Sequence, residues 1–154
     1  MTHVLLGAGL ASRRADTAAV IAAAIEVKTA TGAGHRRIAA QLGRPASTVR
    51  GWLRSFAASA SSILKAFTVM VHRHGADPAR LWPSPAPTAA GQALAMLGAY
   101  AQVLAERFSV AMLPWHGAGL AAVGPWFFSA VWWSGAVQHE LALMPVAGEG
   151  KGGK

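Results

Sequence analysis

At 154 residues the chain is long enough for one domain, or for a small domain with an appendage. It is 13% charged and 53% hydrophobic, and it has no cysteine, which excludes disulfides and Cys-ligated zinc and fits a reducing cytoplasm. The formal net charge of +8 is uneven: residues 1–60 hold eight of the 14 Lys/Arg but only Asp16 and Glu26 among the acids. The positive charge therefore travels with the N-terminal part, as a polyanion-binding surface requires; a solvated basic face without a partner is the plainer alternative.

MTHVLLGAGLASRR puts its arginines after its apolar run, the reverse of a secretory signal, so none is expected. Residues 1–15 read as an extended piece and a turn, with Val4-Leu5-Leu6 lacking an obvious partner strand. From Asp16 the pattern is helical. Asp16 or Thr17 can cap the start, Val20, Ile21, Ala24, Ile25 and Lys28 follow at spacings of three and four, and Thr31-Gly32-Ala33-Gly34 ends the helix.

His35 to Arg54, HRRIAAQLGRPASTVRGWLR, carries the spacing of a helix-turn-helix. Ala39 falls where two helices touch, and Gly43 falls at the turn, where φ > 0 suits glycine. Pro45 suits the opening of a new helix, and Val49 and Trp52 can bury against Ile38 and Leu42. The second helix is expected over His35–Leu42 and the third, the recognition helix, over 46–57. A fourth helix is expected over 58–74, with Ile63, Leu64, Phe67, Met70 and Val71 as its apolar stripe. LWPSPAPT, with three prolines in five residues, predicts an extended linker and a domain boundary at 78–88. Another helix is expected from Ala89 to about Val110, with Leu94, Leu97, Val103, Leu104 and Phe108 as its stripe.

In a recognition helix the N-terminal half meets base edges in the major groove. The helical wheel turns Val49, Trp52, Leu53 and Phe56 inward and leaves Ala46, Ser47, Arg50, Gly51 and Arg54 outward. Arg50 is the first choice for a base, because a guanidinium bonds O6 and N7 of guanine together. Ser47 suits a base or a phosphate and Ala46 a thymine methyl. Arg54, Arg36, Arg37 and Arg44 suit phosphates. For each arginine, solvated charge is the plainer alternative.

The run GAGHRRIAAQLGRPASTVRGWLR resembles the helix-turn-helix of transposase-type and resolvase-type proteins. More closely, Thr2 to about Thr68 is similar to a family of actinobacterial zinc-ribbon/helix-turn-helix proteins associated with mobile elements. Thr2-His3-Val4-Leu5-Leu6 and Arg13-Arg14-Ala15-Asp16 stand in places matching that family's THVLLP-like segment and RRAD-type helix start. The resemblance implies double-stranded DNA as the partner and a homeodomain-like fold. The family's Cys ribbon is missing here, so a truncated or alternatively started member is expected, without the ribbon's zinc.

Arg107 to Glu140 encloses no charged residue, and Gly117–Val137 has the length of a membrane span. Pro125, the glycines at 117, 119, 124 and 135, and the absence of flanking Lys/Arg favour instead a buried helix over about 125–143, packing or forming a homodimer. AGEGKGGK, at the end, is expected to be disordered. The acids are scattered on no expected strand, which argues against a two-metal nuclease, and His72 and His74 point to different helix faces. No catalytic residue, cofactor or metal site is expected. The chain thus reads as all-α: a segment 1–15, a trihelical domain 16–57, a linking helix 58–77, the linker 78–88, an apolar helical region 89–147 and a tail 148–154. It reads as a cytoplasmic, sequence-preferring DNA-binding protein, a regulator or a mobile-element recognition module. Two other readings stand beside it: a structural protein with a vestigial motif, and a membrane-associated DNA binder through residues 113–137.

Overall fold

A computed structural model describes residues 18–75, 77–124 and 127–128, and among these the regular structure is entirely helical. The expectations for residues 1–15, the Asp16/Thr17 cap, the helix over 125–143 and the tail lie outside the described residues.

The first helix, α1 (Ala18–Thr31), buries Ala18, Ile21, Ala22, Ala24 and Ile25. Gly32 stops it at φ 69°, its N–H bonded to Lys28 O at 2.9 Å. Lys28 itself is exposed, with its ammonium on Gly32 O at 3.2 Å. The next helix, α2 (His35–Leu42), buries Ile38 and Ala39. Gly43 (φ 61°, ψ 38°) ends it in a Schellman closure, with Arg44 N–H on Ala39 O at 3.0 Å and Gly43 N–H on Ala40 O at 3.4 Å. Open space surrounds a Cβ at Gly43, so conformation alone selects glycine there. Gly43→Ala is expected to cost about 1–2 kcal/mol, read from the urea midpoint.

The long helix α3 (Ala46–His74) replaces the two helices expected over 46–57 and 58–74. Ala57-Ala58-Ser59-Ala60 contains no breaker, and the buried positions Val49, Trp52, Phe56, Ala60, Ile63, Phe67 and Val71 continue at spacings of three and four across the expected break. At 1.5 Å per residue α3 is about 43 Å long.

After α3, Pro78 opens a one-turn helix, α4 (Pro78–Leu81), whose Arg80 N–H reaches the Asp77 carboxylate at 3.4 Å. The prolines at 83, 85 and 87 then keep residues 82–88 out of helix, as expected. This segment does not separate two cores. It joins α3 to α5 (Ala89–Arg107), and the two helices pack against each other within one hydrophobic cluster. Phe67 meets Tyr100 edge-on, and seven residues further along both helices His74 meets Arg107, so α3 and α5 run parallel. Parallel neighbours need a connection that travels back along the pair. In this register the return covers about 27 Å of α3, and the extended steps from Leu81 to Ala89 reach about 26–29 Å. The prolines thus hold an extended return strap. Its end is fixed by Gly91 N–H on Thr88 Oγ1 at 3.0 Å and Ala86 N–H on Gln92 Oε1 at 2.7 Å.

Helix α5 stops at Arg107, short of the expected Val110, in a second Schellman closure. Val110 N–H bonds Ala105 O at 3.0 Å, with Ser109 at φ 53°. Phe108 therefore leaves the helix stripe and is 66% exposed. The last helix among the described residues, α6 (Trp115–Val123), packs on α5 and on α1. Trp115 Nε1–H donates to Glu26 Oε1 at 2.6 Å, and its ring tilts onto Phe56 at 6.1 Å. Gly119 gives the Phe127 ring direct access to the α6 backbone; a Cβ there would fall on three ring carbons. Gly124, at φ 80°, ends α6, so Gly117–Val137 is not one helix. Among the described residues, no helix is long and apolar enough to cross a membrane.

Candidate nucleic-acid interface

The α2–turn–α3 unit places the basic side chains. Ile38 and Ala39 of α2 and Val49 and Trp52 of α3 are buried, with Leu42 and Leu53 half-buried at the edge of the same cluster. This fixes the rotation of α3. Ser47, Arg50 and Arg54, three and four residues apart, share its exposed side over a rise of about 10 Å. Arg36 and Arg37, in the first turn of α2, and Arg44, just after its closure, are exposed too.

Ala46 departs from the expected outward set. It is half-buried against the core, because it lies one turn before Val49 and borders the buried stripe.

The N-termini of α2 and α3 carry neither a side-chain cap bond nor an acidic residue in the first turn. Thr88 and Asp77 supply such bonds at α5 and α4. Free N–H groups and the positive end of a helix dipole both favour an anion. The described carboxylates are engaged elsewhere: Glu26 with the Trp115 indole, Glu106 with Arg80 at 2.6 Å, and Asp77 at the start of α4. Among the described residues Arg36, Arg37, Arg50 and Arg54 thus face solvent with no carboxylate within ion-pair distance.

Gly51 sits among Ser47, Arg50 and Arg54, exposed, with open space where a Cβ would stand. Gly51→Ala is expected to stabilise the fold by about 1 kcal/mol through helix propensity alone, seen as a higher urea midpoint.

Residue spacing did not point to the group that supports this unit from behind. Phe127 and Phe128 come from far along the chain to close a small cavity with Ile21, Ile25, Trp52, Ser55 and Phe56, and Trp115 meets both rings edge-on. Glu26 and Trp115 are 89 residues apart, a separation no local pattern encodes. Beside them, burial holds the His116 imidazole below its ordinary pKa, against the opposing pull of Glu26. Comparison with protein-family models, with curated proteins and with solved structures finds no match.

Proposed function

We propose that this chain is a cytoplasmic, non-enzymatic, sequence-preferring DNA-binding protein, with α1–α3 as a homeodomain-like trihelical unit and α3 as its recognition helix. It serves as a transcriptional regulator or as the recognition module of a mobile-element system. The observation that carries this reading is the exposed stripe Ser47, Arg50 and Arg54 on α3, beside Arg36 and Arg37 of α2. Arg50 takes the base contact, bonding guanine O6 and N7. Ser47 takes a base or phosphate oxygen, and Arg36, Arg37, Arg44 and Arg54 neutralise the backbone on either side. The bare backbone at Gly51 suits close approach to the groove wall, so the Ala variant that gains stability loses DNA affinity.

Selection from a pool of randomised duplexes tests this reading. Enrichment of a short motif containing a guanine, dependent on Arg50, supports it. Recovery of unenriched sequence at every salt concentration opposes it.

A further inference from the structure

We propose that the contact between His74 and Arg107 is an acid-released latch joining the C-terminal ends of α3 and α5. Arg107 Nη1 lies 3.0 Å from His74 Nδ1. A guanidinium only donates, so Nδ1 must carry its lone pair and the ring proton must sit on Nε2. Protonating Nδ1 replaces this bond with two facing donors. Among the described residues, the charged groups nearest the imidazole on its own helix and on α5 oppose the added charge. Arg73 precedes it on α3, and the Tyr100 ring of α5 stands tilted to it at 6.3 Å. Glu106 of α5 is held by Arg80 of α4, whose N–H also engages Asp77. A protonated His74 would therefore set a positive ring against the Arg107 guanidinium, and both Arg107 and Arg73 oppose that protonation.

Water has a route to this site. An open cleft of about 280 Å³ is lined by His74, Gly75, Val103, Glu106 and Arg107. Burial, with Arg107 and Arg73 adding to it, holds the His74 pKa below its ordinary value of 6.5. The unfolded chain, with its His nearer 6.5, takes up the proton first as pH falls. The stability from the neutral ring is thus full above about 6.5 and is lost as pH drops through the lower folded value. Release begins at the last turn of α3, where Gly75 N–H closes on Val71 O at 2.9 Å.

The test needs no DNA. In the full chain, His74 ring signals are titrated by NMR, and amide exchange over 68–74 and 103–108 is compared between about pH 5.5 and pH 7.5 after correction for intrinsic rates. We expect His74 to titrate below 6.5, with Arg107→Met moving its midpoint up toward 6.5. We also expect acid to lower protection at both helix ends several-fold in the wild type but not in His74→Asn, whose amide oxygen accepts from Arg107 without titrating. His116 is common to both proteins, so its own titration cancels in the comparison. A His74 midpoint at or above 6.5, or equal acid loss in wild type and His74→Asn, would overturn the latch.

Discussion

Phe67→Ala is expected to cost the fold about 3–5 kcal/mol, the range for emptying a buried aromatic site. Phe67 has no exposed surface and stands edge-on to Tyr100 at 5.3 Å and to Phe127 at 6.2 Å. It therefore joins α3, α5 and the segment after α6 at one point. Aromatic pairs in this orientation contribute about 0.5–1.5 kcal/mol beyond their area, and the neighbouring Ile63, Met70 and Leu97 belong to the same core. A domain of ordinary stability has about 5–15 kcal/mol in total, so the variant loses a large share of it. Because the proline strap joins two helices of one cluster, the loss is expected in a single transition. Urea unfolding followed by tryptophan fluorescence and by far-ultraviolet circular dichroism should shift together. A cost below about 1 kcal/mol, or a C-terminal half that melts while α1–α3 persists, would contradict the shared core.

The second large effect falls on binding. Arg50→Ala is expected to cost about 1–3 kcal/mol on the preferred site, roughly 5- to 150-fold in affinity, and to relax the preference at one base pair. Arg50 is exposed, so folding stability should stay within about 0.5 kcal/mol of the wild type. Arg54, one turn further along α3, provides the contrast. As a phosphate contact, its loss weakens all sequences about equally and leaves the preference intact. Anisotropy titrations on the selected site and on single-base variants separate the two. Equal loss across every variant for Arg50→Ala would move that residue to the backbone.

Where glycine and proline punctuate the chain, helix ends were legible in the sequence. Gly32, Gly43, Pro45 and Gly75 mark ends that the structure places at Thr31, Leu42, Ala46 and His74. The expected division of α3 near Ala57 had no such mark behind it, and the buried stripe runs through it. Phe108 failed for the opposite reason. The helix ends on a left-handed Ser109, a residue that rarely signals such a closure. At the candidate site the helical wheel placed Ser47, Arg50 and Arg54 outward, because Val49, Trp52 and Phe56 leave little freedom of rotation. It misjudged Ala46, which borders that buried stripe. The parallel run of α3 and α5, the reach of Trp115 to Glu26 and the meeting of His74 with Arg107 depend on long-range packing that periodicity does not contain.

The most direct measurement is the affinity of the full chain for duplex DNA between about 50 and 200 mM salt. Arg36, Arg37, Arg44 and Arg54 on phosphates predict that log K falls linearly with log salt, with a slope of roughly −3 to −4, about 0.9 per neutralised phosphate. Absence of binding at the lowest salt, or an affinity that salt leaves unchanged, would contradict a DNA-binding role for the α2–α3 face.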